Sequence, residues 1–395
     1  LAFCNSKLTK FMENFQSLLI LMVTVWVAGK LFRAMRLPVI FGELLGGVIV
    51  GPMVLGLIDP GSHTVELLAE LGIFFLMFHS GLEADPHELA KASKKSFLIA
   101  AGGILLPFIG GYFIASAFGQ SMVPALYIAL CVSVTAIPIT ARLLKDYKIQ
   151  RSNAAHVTIG AAILNDIMAF ILFSIIMSLH ANGDIQPSQI FWLVAQVGLF
   201  FGIVMWLGFK LSKHMGKALQ NKGFTFALIV ALGLGLLAES IGLHMILGAF
   251  LAGLFIREEV LDDKIFTKIE DRIYGLSYGF LGPIFFASLA FNIDFSALFT
   301  QPLFLVALIA VAVVGKMIGA GGGALIQKMK SKEALLIAVA MNARGAMELV
   351  LASIGYEAGI LDQSSLSILV IMAFVTTLVT IIAMKPVIQS IRAKS

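Results

Sequence analysis

Apolar runs long enough to cross a lipid bilayer recur from one end of this 395-residue chain to the other. A hydrocarbon core about 30 Å thick takes roughly 17–25 residues of helix. Thirteen runs of this kind are read, at 16–32, 38–58, 64–82, 96–118, 122–141, 153–180, 189–209, 223–239, 241–256, 273–292, 302–326, 334–355 and 365–384. Inside lipid every backbone N–H and C=O must be satisfied within the segment, so continuous apolar runs of this length predict helices. The ninth run is separated from the eighth only by Glu239-Ser-Ile-Gly242, which keeps twelve as the alternative count. Composition agrees with the class: 59% of residues are hydrophobic and 13% charged, against about 25% charged in a soluble domain.

The basic residues test the count independently. Alternate loops, starting with the first, hold Lys30, Arg33 and Arg36; Lys91, Lys94 and Lys95; Arg142, Lys145, Lys148 and Arg151. They continue with Lys210, Lys213, Lys217 and Lys222; Arg257, Lys264, Lys268 and Arg272; Lys328, Lys330 and Lys332; and Lys385, Arg392 and Lys394. These are 24 of the 28 Lys and Arg, and the intervening loops hold none. Short basic loops stay cytoplasmic, so thirteen spans place the N-terminus outside and the C-terminus in the cytoplasm. Removing one span would invert half the pattern. The net charge of +5 therefore describes topology, and no aromatic-basic surface points to nucleic acid. Cys4 and Cys131 are far apart and Cys131 lies within a span, so no disulfide framework is read.

Two runs carry ionisable groups at mid-depth. Lys316 lies within Phe304–Ile326, and Asn165-Asp166 lies at the centre of Ile159–Phe173. Charges there cost at least a few kcal/mol, and they mark ion or proton paths lined by partners inside the protein. Two runs are also interrupted. The fifth reads Ser133-Val-Thr135-Ala-Ile-Pro138-Ile-Thr140-Ala-Arg142, where proline removes a backbone donor. The twelfth reads Met341-Asn342-Ala-Arg344-Gly345-Ala-Met-Glu348. They lie seven spans apart, an odd interval, so they run in opposite orientations. Paired interrupted helices in inverted halves point to a transporter's central site. The glycine runs Gly42–Gly47 and Gly319–Gly323 read as close helix packing.

The Asp166 carboxylate can hold a proton or a dehydrated alkali cation, but not both. A hard cation wants several oxygens; Asn165, the Thr135 and Ser133 hydroxyls and carbonyls freed around Pro138 can supply them. The alternative is a structural salt bridge between Asp166 and Lys316. Lys316 either neutralises the acid when no ion is bound or takes a proton itself. Arg344, which does not deprotonate, suits holding the break together through carbonyls and acids, and Glu348 one turn on can pair with it. Glu43, Glu70, His79, His156 and His244 rank lower. No His-Glu-x-x-His, Walker-type loop or Gly-x-Ser-x-Gly appears, so enzymatic chemistry has no support.

The order and spacing of several motifs resemble the monovalent cation/proton antiporter superfamily, its second branch above all. The markers are Leu37-Pro38-Val-Ile-Phe-Gly42-Glu43-Leu-Leu-Gly46-Gly47, Gly51-Pro52, Leu55-Gly56 and Phe74-Phe-Leu-Met-Phe-His-Ser-Gly81-Leu-Glu83. Thr140-Ala-Arg142, Gly160-Ala-Ala-Ile-Leu-Asn165-Asp166, Gly282-Pro283-Ile-Phe-Phe286, Gly315-Lys316 and Arg344-Gly345 complete the set. That branch includes sodium/proton antiporters of the NapA type, Kef potassium efflux systems and plant and fungal cation/proton exchangers. The resemblance implies an all-α polytopic membrane protein with two inverted-topology repeats and crossed discontinuous helices. It implies a homodimer in an inner or plasma membrane, built from a dimer domain (1–90 and 223–299), a core domain (91–182 and 300–395) and a linker helix (183–222). Asp166 then matches the shared ion and proton carboxylate, Thr135 a liganding hydroxyl and Lys316 the core-domain lysine. Asn342 stands with Lys316, Arg344 and Glu348 as a charge partner at the second break.

Two departures qualify the expectation. Electrogenic members often carry two adjacent acids, whereas here the first position is Asn165, so one proton per cation and electroneutral exchange are expected. The acid after Arg344-Gly345 comes three residues on, at Glu348, as in the plant and fungal exchangers, which keeps K+ open beside Na+. No cofactor is expected beyond the transported ions. The alternatives are a Kef-like efflux protein gated by a cytoplasmic nucleotide-binding domain lying outside this chain, and a passive cation channel.

Overall fold

The computed structural model describes all residues except 1, 36, 85–93, 137–138, 141–143, 145–146, 148, 150–151, 184–186, 257–262 and 393–395. Pro138 and Arg142 thus lie outside the described residues. Among those described, the regular structure is helical throughout: α1 (Ala2–Ala34), α2 (Val39–Val50), α3 (His63–Glu83), α4 (Lys94–Ala117), α5 (Met122–Ser133), α6 (Asn153–Asn182), α7 (Pro187–Ser240), α8 (Met245–Ile256) and α9 (Asp263–Leu276). A π turn (Ser277–Leu281) follows, then α10 (Gly282–Phe291), α11 (Ala297–Thr300), α12 (Pro302–Ile326), α13 (Ser331–Ala340), α14 (Ala346–Glu357) and α15 (Gln363–Arg392). Eight helical stretches among the described residues are long and apolar enough to cross a membrane, and shorter apolar helices accompany them.

Each apolar run falls on helix, with corrections at the edges. The second run is helical only to Val50; turns occupy the stretch from Gly51 to Ser62. Residues 210–222, expected as a loop, are helical, so runs seven and eight join in the 54-residue α7. At about 1.5 Å per residue that helix exceeds twice the thickness of a hydrocarbon core. The eighth and ninth runs are separate helices, α7 and α8, divided by a turn in which Gly242 has φ +78°. Lys264, Lys268 and Arg272, also expected in a loop, lie on α9.

The chain forms two compact units, Leu1–Leu82 with Leu211–Ile293, and Glu83–Lys210 with Asp294–Ser395. In the first, α2 packs against α1 and α10. A side chain at Gly42 would meet the Ala28 carbonyl at 2.7 Å, and one at Gly47 would run into the backbone of Ala287. Leu21, Val25, Val50, Ile58, Val65, Ile284, Ala287 and Phe291 fill the core this contact allows. In the second unit α4 and α12 pack along their length, with Gly319 facing the backbone of Gly102 and Gly323 facing Leu98. That packing fixes the depth of Lys316 on α12.

Candidate functional site

α5 stops at Ser133, and Val134 is extended (φ −72°, ψ 156°). α13 stops at Ala340, a turn follows, and α14 resumes at Ala346 after the extended Gly345 (φ −173°, ψ −138°). The two interruptions meet. Ala136 N–H donates to the Ala343 carbonyl at 2.8 Å. The Thr135 hydroxyl donates to the Met341 carbonyl at 3.2 Å, and that of Thr140 to the Ala340 carbonyl at 2.9 Å. Asn342 Nδ2 donates to the Ala338 carbonyl at 2.8 Å. Side chains thereby satisfy carbonyls that the end of α13 leaves without helical partners. Gly345 suits the close approach: a Cβ there would stand 3.0 Å from the tip of Ile139 and 3.2 Å from the Ala136 side chain, tight enough that these neighbours would have to shift.

Arg344 caps the other helix end. Its Nη1 donates to the carbonyls of Cys131 at 3.0 Å and Val134 at 3.3 Å, and its Nη2 to that of Val132. A cation at a helix C-terminus also meets the negative end of the helix dipole. Nη1 reaches Glu348 Oε2 at 3.5 Å within the first turn of α14, where an acid is favoured by the opposite dipole end. Arg344 and Glu348 are 0% and 1% exposed at the side chain. The Tyr127 hydroxyl donates to the Leu351 carbonyl at 2.8 Å, a further bond from α5 to α14.

Asn165 and Asp166 lie buried on α6, which packs against α4, α5 and α13. Lys316 and Glu83 are the charges near Asp166. Lys316 forms no salt bridge with Asp166 among the described residues; its ammonium donates to the Thr135 hydroxyl. Ser133 uses its hydroxyl within its own helix, donating to the Leu130 carbonyl at 2.8 Å. Asp166 Oδ1, both polar atoms of Asn165, Asn342 Oδ1 and Glu348 Oε1 are buried with no hydrogen-bond partner among the described residues. Each unpaired buried polar group costs roughly 1–3 kcal/mol, which makes these atoms candidates to bind a ligand or water. Four of these atoms are hard oxygens, two from carboxylates and two from amides, and such donors suit a hard cation.

The structure brings Thr135, Asn342, Arg344, Gly345 and Glu348 to the paired interruptions and sets Lys316 against Thr135. The lower-ranked groups lie apart in role: Glu70 and His156 are exposed and Glu43 is buried in α2. His79 packs tilted against Tyr274 and edge-on against Tyr278, with ring centroids at 5.4 and 5.3 Å. Thr377 on α15 was not singled out from the sequence. It exchanges two hydrogen bonds with the backbone of Arg344, and its only sequence signal is the hydroxyl cluster Thr376-Thr377 and Thr380 in an apolar span.

Comparison with known proteins agrees along nearly the whole chain. A family model described as sodium/hydrogen exchanger, transmembrane, matches residues 18–389. The Na(+)/H(+)-K(+) antiporter GerN of Bacillus cereus is 30% identical over 373 residues, covering 93% of this chain and 94% of the relative. Cation/H(+) antiporter 18 of Arabidopsis thaliana is 30% identical over 92% of this chain and 47% of its own length. The solved structure of the sodium proton antiporter MjNhaP1 from Methanocaldococcus jannaschii superposes with a TM-score of 0.74 at 18% identity, covering 94% of this chain and 96% of that one. This last likeness concerns the fold.

Proposed function

The chain belongs to the sodium/hydrogen exchanger family, and from that premise we propose that it exchanges Na+ or K+ for H+ across a membrane, with Asp166 carrying one or the other. The observation that carries the reading is the buried, unpartnered Asp166 Oδ1 on α6, in a unit whose paired helix interruptions hold further unpartnered oxygens. A proton on Asp166 and an alkali cation at the same oxygens exclude each other, and that exclusion is sufficient chemistry for antiport. Asn165 and Asn342 supply neutral amide oxygens, and Thr135 joins them when Lys316 releases its hydroxyl. Arg344 stays charged and keeps the α5 carbonyls in place. Gly345 lies at the second interruption, and Pro138, expected at the first, lies outside the described residues.

With Asn165 beside a single acid on α6, one proton leaves for each cation bound, and exchange is electroneutral. The unit Glu83–Lys210 with Asp294–Ser395 holds all the proposed site residues and is assigned as the mobile core of a homodimer. The other unit is assigned as the dimer domain, and access to Asp166 alternates as the core moves. The protein sits in an inner or plasma membrane with its N-terminus outside and its C-terminus in the cytoplasm, following the basic loops.

The test is a reconstituted assay with a pH-sensitive dye and Na+, K+ or Li+ added in turn. Cation addition is expected to move protons in the parent protein and not in Asp166→Asn. Clamping the membrane potential with valinomycin in K+ is expected to leave the rate unchanged. Exchange surviving in Asp166→Asn would remove the carboxylate from its role, and cation flux indifferent to the pH gradient would indicate a channel.

A further inference from the structure

The last helix, α15, is almost purely apolar through its span. Its buried hydroxyls do two different things. Thr376 donates to the Met372 carbonyl at 2.8 Å and Thr380 to the Thr376 carbonyl at 2.8 Å, each returning its hydrogen bond to its own helix. Such back-bonding is ordinary for threonine in an apolar helix. Thr377 instead reaches across 33 residues of sequence: its hydroxyl donates to the Arg344 carbonyl at 2.8 Å and accepts from the Arg344 N–H at 3.0 Å.

A threonine hydroxyl has one proton to give, and both its donor and an acceptor site here serve a single residue. That residue lies in the interruption between α13 and α14, where the backbone has no helical partners. The two bonds therefore fix Arg344 from both sides of its Cα. The Arg344 guanidinium in turn holds the carbonyls of Cys131, Val132 and Val134 at the end of α5, one residue before Thr135. We infer that Thr377 is a positioning residue for cation binding: it fixes the Arg344 backbone, through which the α5 terminus and the Thr135 oxygen are held in register with Asp166. This deepens the reading of the site given above and rests on it.

The experiment measures exchange in proteoliposomes as a function of cation concentration for the parent, Thr377→Val, Thr377→Ser and Thr380→Val. Valine keeps the shape and removes both bonds; serine keeps both bonds. Thr377→Val is expected to raise the apparent KM for the cation about tenfold, the equivalent of one or two lost hydrogen bonds, while the maximal rate per folded protein stays within about threefold. Thr377→Ser is expected to restore the parent KM. Thr380→Val, which removes a bond confined to α15, is expected to match the parent. If Thr377→Val fails to accumulate in the membrane, Thr377→Cys carries the test, because a thiol is a poor donor and acceptor, and an intermediate KM is expected. A parent-like KM in Thr377→Val, or in Thr377→Cys where that replaces it, overturns the inference, as does a raised KM in Thr377→Ser. Failure of the underlying reading shows elsewhere, as exchange that persists in Asp166→Asn.

Discussion

Helices meet through glycine both at α2 and α10 in one compact unit and at α4 and α12 in the other, yet the two interiors differ in what else they bury. Glu43 and His79 are the buried ionisable side chains among the described residues of the first unit, on uninterrupted helices. A π turn at Ser277–Leu281 is tied down by the Ser277 hydroxyl donating to the Phe75 carbonyl at 2.9 Å. The second unit buries Asp166, Lys316, Arg344 and Glu348 and interrupts two helices beside them. The same close packing thus supports an apolar scaffold in one place and a charged, partly unsatisfied interior in the other. Desolvated charge is costly, and the molecule concentrates that cost where helix ends can offset it.

Substitutions of matched kind in the two units sharpen this contrast. The largest effect is expected from Arg344→Leu. It strands Glu348 and three carbonyls in a buried setting, and breaking a buried pair from one side costs about 3–5 kcal/mol. A large fall in the thermal midpoint of the purified protein and loss of exchange are both expected; retained exchange would mean that the carbonyl cap is dispensable. Gly47→Val, in the first unit, forces side-chain atoms into the Ala287 backbone and should cost about 1–3 kcal/mol. Here the midpoint falls while the surviving protein keeps the parent's cation KM. A changed KM would blur the division between scaffold and site.

Glu43→Gln probes the first unit's own buried acid. Its pH profile of exchange is expected to overlay the parent's within error, and a displaced profile would put a transport-linked proton outside the core unit. The smallest effect belongs to Ser296→Ala. The Ser296 hydroxyl donates to the Asp294 carboxylate at 2.6 Å. This bond, followed by the Ser296 backbone N–H, holds Asp294 below its ordinary value of 3.8, against slight desolvation. A lowered folded value stabilises above the ordinary one and is lost as pH falls through it. The midpoint difference between variant and parent should therefore be slight at neutral pH and should vanish in strong acid.

Much of this contrast is legible in the sequence, for identifiable reasons. A lysine inside the apolar run Phe304–Ile326, or Asn165-Asp166 in the middle of another run, has no ordinary explanation in a bilayer. The sequence between Met341 and Glu348 is too polar and too rich in conformational freedom to continue as a buried helix. Residues 210–222 misled because a run of lysines marks a cytoplasmic stretch equally well as loop or helix, and its Lys, Leu, Ala, Met and Gln are good helix formers. The same ambiguity hid the start of α9. The choice of Thr135 by Lys316 was not legible, since a long flexible side chain takes its partner from how α12 packs on α4. Thr377 was not legible either: one hydroxyl in an apolar helix is common, and only the fold distinguishes it from Thr380.

The single bond from Ala136 to Ala343, with Thr135 and Thr140 on either side of it, has a mechanical consequence. Two interruptions laced together through their main chains cannot be displaced one at a time without stranding donors and acceptors in a dry interior. In the proposed exchange, the excursion that opens Asp166 to either side carries both as one cassette, which leaves the hinges to segments that own no such lacing.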